Sequence, residues 1–347
     1  TRDVLRQHSA ALQAEGVWLP VACTLMQALR QQDAPTGECP VTLDEAEAVL
    51  RGQVSAAHWP PPAPTVGTIR APGAGAAVEL EDVSFSYPGG PPALQGINLT
   101  IGRGRFFALV GANGSGKTTL AKHLVGLLRP TRGRVVVLGQ DAARRSPAEL
   151  ARHVGYVFQN PEHQFVTDRV RDELAYSLRG RWSEDDIAAR VLQLLTTFGL
   201  QGYEDENPFN LSQGQKRRLS VATMVALDQP ALILDEPSFG QDQQSTAALM
   251  ATLRELHARG VTIVFISHDM QLVAEYADEV AVLSEGRIVF QGAPRDLFTR
   301  DDVLQQAGLL RPPLVELARR LGLPPLLTVE EWTRCLSDRL RPAHCPR

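Results

Sequence analysis

The chain has 347 residues, 44% of them apolar, and a formal net charge of −4. This composition is that of an ordinary globular protein, long enough for one large domain or two smaller ones. It has no basic block typical of nucleic-acid binders, and no apolar run approaches the roughly 20 residues that cross a bilayer. We therefore expect any work at a membrane to depend on a partner.

The first fifty residues contain two helical stretches, and the second opens with the capping box Thr42-x-x-Glu45. The same order recurs after residue 299, where "TRD" and a helical run precede Thr328-x-x-Glu331. This pattern predicts an internal repeat of a helical tail, with chance similarity of two amphipathic stretches as the alternative. Its apolar faces should be buried. They comprise Leu25, Leu29, Leu43 and Val49 in the first copy and Leu314, Leu317, Leu321 and Leu336 in the second.

Residues 51–77 are rich in Pro, Gly and Ala, which predicts a linker. From Val78 onward, apolar runs such as "FFALVG", "ALILDEP" and "VTIVFISH" alternate with helical segments. The alternation predicts an α/β domain over 78–300 with a mainly parallel sheet. A helical subdomain is expected at about 150–225 and a helical tail at 301–347.

A phosphate-binding loop is predicted in "FFALVGANGSGKTTL", which has the spacing G-x-x-x-x-G-K-T. The motif follows a strand-like run and precedes a helical pattern, the context that it requires, and this context disfavours a glycine-rich turn with a stray lysine. Backbone N–H groups and the helix start bind phosphate, Lys117 reaches the β- and γ-phosphates, and the Thr118 hydroxyl can ligate Mg²⁺. The predicted nucleotide-binding residues of this loop are Gly111, Asn113, Gly114, Ser115, Gly116, Lys117, Thr118 and Thr119.

The run "ALILDEP" ends in two adjacent carboxylates. Asp235 suits a water-mediated contact to Mg²⁺, and Glu236 suits the positioning or deprotonation of an attacking water. Alone, Asp-Glu-Pro is also a helix-start signal, but the phosphate loop upstream favours the chemical interpretation.

Three further stretches help to identify the class of protein. "LSQGQKRRLSVATMV" places Ser212 and Gly214 at a predicted helix N-terminus, a second anion site. "VFQNP" places Gln159 at the end of one apolar run, and "FISHD" places His268 at the end of another. Taken alone, His268 would also fit a capped strand end with a satisfied imidazole.

In this order, "GANGSGKTT", "VFQNP", "LSQGQKRR", "LILDEP" and "ISHD" resemble the motif set of the ATP-binding-cassette ATPases over residues 78–300. The resemblance implies a P-loop NTPase fold of the ABC type, with an antiparallel β edge and an inserted helical subdomain. It also implies that two cassettes close head to tail over two ATP molecules with Mg²⁺, and that hydrolysis reopens them.

The same resemblance implies a role for each matched residue. Glu236, His268 and Gln159 would be catalytic, and Thr118, Gln159 and Asp235 would hold the metal. Tyr87 would stack on adenine, with a core strand aromatic as the alternative. Ser212, Gly214 and Gln215 would act on the nucleotide of the partner cassette, and Asp242 would lie in the dimer loop.

"VFQNPEHQFVTDRVRDELAYSL" and "SQGQKRR" are similar to the ATPases of energy-coupling-factor importers of vitamins and metal ions. That resemblance implies a transmembrane coupling subunit, a separate substrate-binding membrane protein and a peripheral position on the cytoplasmic face of the membrane. The residues expected to contact the coupling subunit are Asn160, Pro161, Glu162 and Gln164.

Two positions depart from the family pattern: Gln213 stands where glycine is usual and Gln241 where leucine is usual. These departures leave hydrolysis plausible and put its rate in doubt. On the same resemblance, residues 1–50 are expected to be the tail of a preceding cassette, so that the chain is the C-terminal half of a tandem protein.

Two other functions fit the motifs. One is the ATPase of another ABC transporter, either an exporter or a lipid or lipoprotein transporter. Whether the segment "NPEHQF" contacts a coupling helix would distinguish this function from the importer. The other is a soluble ABC protein acting on ribosomes or DNA. Such proteins carry long charged arms or zinc-binding cysteines, whereas the four cysteines here are far apart, so no nucleic-acid partner is expected.

Overall fold

The computed structural model describes residues 2–14, 17, 19–30, 40–53 and 73–340. Its strands are β1 (Gly73–Ser86), β2 (Pro92–Arg103), β3 (Phe106–Val110), β4 (Arg132–Val137), β5 (Gln140–Asp141), β6 (Val154–Val157), β7 (Ala231–Asp235), β8 (Thr262–Ser267), β9 (Glu279–Ser284) and β10 (Arg287–Gly292). The helices up to the fourth strand are α1 (Arg2–Ala14), α2 (Val21–Arg30), α3 (Leu43–Gln53) and α4 (Lys117–Leu124). The later helices are α5 (Pro147–Leu150), α6 (Val170–Tyr176), α7 (Glu184–Thr197), α8 (Gln213–Val225), α9 (Gln243–Ala258), α10 (Met270–Tyr276), α11 (Pro294–Leu297), α12 (Asp301–Gln306), α13 (Pro313–Arg320) and α14 (Val329–Leu340).

The larger sheet has the strand order β10-β9-β3-β8-β7-β6, and all its pairs are parallel except β10 with β9. A separate antiparallel sheet has the order β2-β1-β4-β5. The α/β fold with a mainly parallel sheet and antiparallel β structure beside it is therefore confirmed.

The parallel strands are buried on both faces, which explains why their sequences are continuous apolar runs. Within β3, Phe107 and Leu109 join a core with the antiparallel sheet and α4. Phe106, Ala108 and Val110 join the core on the opposite face, which α8, α9 and α10 cover. The period-two alternation of a strand thus places the phosphate loop, which follows Val110, between two packed layers.

Element boundaries differ from the sequence expectations in two places. β1 begins at Gly73, five residues before the expected start at Val78, because this Gly- and Ala-rich stretch pairs with β2. β6 belongs to the parallel sheet, so the inserted helical stretch begins after Val157 rather than at about 150. Most of the expected linker, residues 54–72, lies outside the described residues.

The helices α2, α3, α13 and α14 form a unit that we call the terminal helical module. Its packing is reciprocal, because α2 of the first repeat contacts α14 of the second while α3 contacts α13. Both capping boxes have the same geometry: Thr42 and Thr328 each accept a backbone hydrogen bond at 3.2 Å. The glutamates accept in return from the residue preceding each threonine, at 2.7 Å for Glu45 and 2.8 Å for Glu331.

The two repeats bury each other's apolar faces around Trp332, which is fully buried. The buried members of the expected set are Leu25, Leu29, Leu314, Leu317 and Leu336, and the partly buried ones are Leu43, Val49 and Leu321. Within the described ranges, no helix is both long and apolar enough to cross a membrane.

Candidate active site

The phosphate loop connects β3 to α4 in a conformation that only glycine fits at its two ends. Gly111 has φ 152°, and a Cβ there would lie 2.1 Å from the carbonyl oxygen of Leu283. Gly116 has φ 107°, and a Cβ there would lie 2.7 Å from the carbonyl oxygen of Ala93. The glycine spacing of the motif is therefore a packing requirement as well as a phosphate-binding one.

Lys117 begins α4 and is 7% exposed. Its Nζ donates to the carbonyl oxygens of Gly111 at 2.8 Å and Ala112 at 2.9 Å, so the ammonium is held against the loop. Burial lowers the pKa of Lys117, and the nearby carboxylates of Glu236 and Asp235 oppose that shift. The lysine therefore stands as a positioned cation beside the loop that is predicted to bind phosphate.

Tyr87 follows β1 and keeps 42% of its surface exposed. Its hydroxyl shares a hydrogen bond of 3.2 Å with Thr119 Oγ1 of α4, and its ring packs edge to face on Phe85 at 4.9 Å. These two contacts fix a partly exposed aromatic ring next to the loop, an arrangement suited to stacking on a nucleobase.

Asp235 ends β7 and is 2% exposed. Its Oδ2 accepts hydrogen bonds from the Thr118 hydroxyl at 2.9 Å and the Tyr156 hydroxyl at 3.1 Å. Burial raises the pKa of Tyr156, and the Asp235 carboxylate raises it further, so Tyr156 is a donor at neutral pH. Asp235 Oδ1 is buried without a hydrogen-bond partner among the described residues.

The oxygen atoms around Asp235 fit a hard divalent cation. Thr118, Gln159 and Asp235 line one cavity of about 590 Å³, and hydroxyl, amide and carboxylate oxygens are ligands that Mg²⁺ accepts. The unpartnered Oδ1 of Asp235 gives this carboxylate a coordination position that no protein donor uses. The predicted metal-ligating residues are thus brought together.

Glu236 and His268 lie at the ends of neighbouring parallel strands, β7 and β8. Glu236 Oε2 and His268 Nδ1 are 3.0 Å apart, with the glutamate side chain 10% exposed and the imidazole 63% exposed. Glu236 has φ 49°, a left-handed conformation that is costly for a residue other than glycine. Its backbone N–H donates to Ile266 at 3.0 Å, which holds this turn against β8.

The signature segment starts α8. Ser212 and Gln215 form a capping box: Gln215 Oε1 accepts from the Ser212 N–H at 2.8 Å, and Ser212 Oγ accepts in return at 3.3 Å. A Cβ on Gly214 would lie 2.6 Å from Ser245 Oγ, so glycine permits α8 to approach α9 closely. Asp242 caps α9, because its Oδ1 accepts a hydrogen bond of 2.7 Å from the backbone N–H of Ser245. Ser245 therefore links the predicted signature segment at Gly214 to the predicted dimer loop at Asp242 within one chain.

The two departures from the family pattern lie in different environments. Gln213 is exposed and lines the same cavity as Gln159. The amide nitrogen of Gln241 donates to the carbonyl oxygen of Pro237, so its side chain is folded back onto its own loop.

The loop after β6 is bonded to α8 along most of its length. Glu162 forms an ion pair of 2.5 Å with Lys216, whose side chain is 8% exposed. Gln164 Nε2 donates to the Ser220 carbonyl at 2.8 Å. Of the four predicted coupling residues, Glu162 and Gln164 thus have partners within the chain, Pro161 is buried, and Asn160 caps the turn at 161–163. Gln159 itself is exposed.

Three residues of the site were assigned no role from the sequence: Tyr156, Lys216 and Arg217. Lys216 had a usable signal, because lysine occurs only three times in the chain and Lys117 is another of the three. Arg217, next to it, is 2% exposed. Burial lowers the pKa of Arg217 to about 10, against the opposing effect of Asp235 and Glu236, so it stays charged at neutral pH. Tyr156 carried no signal beyond its place in a strand.

A glycine-rich loop after the central strand of a parallel sheet, with an acidic strand end beside it, is characteristic of P-loop ATPases, and the chain has that class of fold and site. The family model described as "ABC transporter" matches residues 94–239. A putative ABC transporter ATP-binding protein from Pyrococcus furiosus is 43% identical over 258 residues, covering 74% of this chain and 98% of that protein. The chain therefore belongs to the ABC transporter ATP-binding family, whose members are ATPases.

Other relatives extend the comparison. An energy-coupling factor transporter ATP-binding protein from Methanothermobacter thermautotrophicus is 36% identical, covering 73% of this chain and 84% of that protein. The solved structure of cbiO1 from Clostridium perfringens, described as part of the ABC transporter complex cbiONQ, has a TM-score of 0.60 and 33% identity, covering 66% of this chain and 93% of that one. A putative ABC transporter ATP-binding protein from Caldanaerobacter subterraneus is 43% identical over 74% of this chain, but the chain spans only 45% of its length.

Proposed function

We propose that the chain is the ATP-binding and ATP-hydrolysing subunit of an energy-coupling-factor type importer, which takes up a vitamin or a metal ion. The observation that supports hydrolysis most directly is the 3.0 Å contact of Glu236 with His268. Glu236 directly follows Asp235, whose Oδ2 accepts a hydrogen bond of 2.9 Å from the Thr118 hydroxyl. The proposed base, the proposed metal-binding carboxylate and the predicted phosphate loop all lie at the carboxyl ends of the inner strands β3 and β7.

In this proposal, Tyr87 stacks on adenine and Thr119 and Lys117 bind the phosphates. Glu236 orients the attacking water and accepts its proton, and His268 contacts the γ-phosphate. Thr118, Gln159 and Asp235 would hold Mg²⁺, which when bound would neutralise charge on the β- and γ-phosphates.

A second cassette completes the site. Ser212 is exposed at the start of the 13-residue helix α8, where free N–H groups and the helix dipole favour a phosphate. We propose that Ser212, Gly214 and Gln215 bind the γ-phosphate on the partner cassette, and that Asp242 lies in the dimer contact.

The repeat supports a tandem origin for that partner. In the terminal helical module, α2 contacts α14 and α3 contacts α13, the reciprocal pattern expected when two copies of one tail meet about a two-fold axis. We propose that residues 1–50 are the tail of a second cassette, joined by a linker to the ATPase domain at 78–300 and its own tail at 301–347.

The membrane partner is proposed to dock beside the loop after β6. Val166 is 64% exposed and Phe209 is 48% exposed, and the Phe209 ring packs on Phe165 at 5.9 Å. Adjacent exposed apolar side chains mark a surface for another protein. We propose that a transmembrane coupling subunit binds here, that a separate membrane protein carries the substrate, and that the chain is peripheral on the cytoplasmic face.

Affinity purification from solubilised membranes tests the importer proposal, with Phe209→Asp as the variant. A charge in the apolar surface should lower recovery of multispanning membrane proteins by more than about tenfold while ATP affinity stays within about twofold. The matched control is Leu192→Asp, because Leu192 is 60% exposed on α7. Its neighbours Arg190 and Gln193 line a cavity with Val261, which precedes β8 at the amino ends of the strands. Equal recovery with Phe209→Asp, or no membrane protein with the wild type, would contradict the proposal.

A further inference from the structure

One buried guanidinium joins three segments of the active site. Arg217 lies in α8, one turn after Ser212, and is 2% exposed. Its Nη1 donates to the carbonyl oxygen of Phe158 at 2.6 Å, and its Nη2 donates to the carbonyl oxygen of Gln159 at 2.5 Å. The same Nη2 lies 3.5 Å from the carbonyl oxygen of Glu236.

Two of these acceptors belong to residues whose side chains are proposed to act on the nucleotide. Arg217 donates to the backbone carbonyls of Gln159 and Glu236, which lie 77 positions apart in the sequence. A planar guanidinium has several donors in a fixed geometry, so it sets the separation of the two carbonyls in a way that a flexible ammonium cannot.

The residues around Arg217 add further bonds between α8 and the loop after β6. The buried Lys216 pairs with Glu162 at 2.5 Å, and Gln164 donates to the Ser220 carbonyl further along α8. Tyr87 and Lys117, which are proposed to bind the nucleotide, bond instead to Thr119 and to the carbonyl oxygens of the phosphate loop. Nucleotide affinity and the placement of Gln159 and Glu236 are therefore held by separate sets of contacts.

We infer that Arg217 is a positioning residue for ATP hydrolysis, which fixes Gln159 and Glu236 relative to each other and so controls turnover rather than ATP affinity. The inference rests on the proposed hydrolysis. Because Gln159 is a proposed metal ligand, loss of Arg217 should also raise the Mg²⁺ concentration needed for half-maximal rate.

The test compares steady-state ATP hydrolysis by the wild-type chain and by Arg217→Gln. Glutamine keeps one N–H donor group but lacks the paired Nη donors of the guanidinium, so it cannot bridge the same carbonyls. A displacement of about 1 Å at a reacting group costs on the order of 100-fold in rate. We expect kcat to fall on the order of 10- to 100-fold, with KM for ATP within about twofold and a raised Mg²⁺ requirement.

Arg190→Gln is the matched control for a purely structural arginine. Arg190 also donates to two backbone carbonyls of the α8 end, those of Val225 and Ala226, but far along the helix from the site. The Arg190→Gln variant should have a lower melting temperature. At temperatures below its unfolding transition, its kcat and its Mg²⁺ requirement should equal those of the wild type. If Arg217→Gln does not fold, Arg217→Lys, which keeps the charge, provides the same comparison.

Two outcomes overturn the inference: a folded Arg217 variant with wild-type kcat, or losses in kcat and ATP affinity that only follow the melting temperature, as a structural role predicts. Absence of hydrolysis in the wild type would instead refute the proposed function, so the two failures are distinguishable.

Discussion

Individual side chains in the site work in pairs, one holding the other in place. Asp235 is held by the hydroxyls of Thr118 and Tyr156, and Glu236 is held beside His268 by a strained backbone turn. Such paired contacts restrict each carboxylate to one orientation, which is what reaction geometry requires.

Glu275 gives a pH-dependent prediction at this scale. It lies in α10, at a cavity of about 270 Å³ between the cassette and the terminal helical module. Burial raises the pKa of Glu275, against the hydrogen bond from Tyr276 and the charge of Arg254, while Glu330 and Asp269 raise it further. When the pKa of a carboxyl group is higher in the folded protein than in the unfolded chain, ionising the group lowers the stability of the fold. This loss of stability is complete at pH values above the folded pKa and vanishes at pH values below the unfolded pKa.

We therefore expect Glu275→Gln to melt at a higher temperature than the wild type at about pH 8, with the difference shrinking toward about pH 4. Calorimetry over this pH range measures it. Glu255→Gln, at an exposed position of α9, is the control and should show no such trend. A Glu275→Gln variant less stable than the wild type at about pH 8 would show that the ionised carboxylate is stabilising.

The motif residues were predictable one by one because the spacing of each motif specifies backbone chemistry. Gly111 and Gly116 must be glycine for steric reasons, and Ser212 and Asp242 are at the helix starts that their residue types favour. Arg217 and Tyr156 were not predictable, because their partners are distant carbonyl and carboxylate oxygens that no local pattern encodes.

Among the helices and strands, local signals predicted some ends and missed others. The Thr-x-x-Glu boxes mark the starts of α3 and α14, since both bonds of each box form. The start of β1 at Gly73 was missed because Gly and Ala have low strand propensity and only pairing with β2 extends the strand. The amphipathic faces of the repeat were readable, but their mutual packing was not, because an apolar stripe does not identify its partner.

Leu25 in α2 tests that mutual packing. It is fully buried in the cluster that contains Trp332 and Leu336 of α14. Leu25→Ala should lower the free energy of unfolding of the module by about 2–5 kcal/mol, measured by denaturant titration, with ATP affinity unchanged. Leu192→Ala, at an exposed position, should cost less than about 0.5 kcal/mol. Unchanged stability of Leu25→Ala would show that α2 does not pack on α14 in solution.

The sequence combines one set of nucleotide motifs with two helical segments that are predicted to be copies of one tail. Its fold and site place it among the ABC transporter ATPases, and its terminal helical module joins the two repeats reciprocally. The proposed cycle of closing over ATP and reopening on hydrolysis depends on Glu236, the residue proposed to accept the proton of the attacking water, whose carboxylate lies 3.0 Å from His268.

ATP turnover by Glu236→Gln tests this account most directly. Glutamine preserves the size of the side chain but cannot accept the proton, so we expect turnover to fall by about 10²- to 10⁴-fold relative to the wild type. ATP binding should remain, and the cassettes should be held together by ATP in sedimentation, whereas Lys117→Ala should lose ATP binding. Turnover by Glu236→Gln close to that of the wild type would contradict the account, because the water would then be activated by another group.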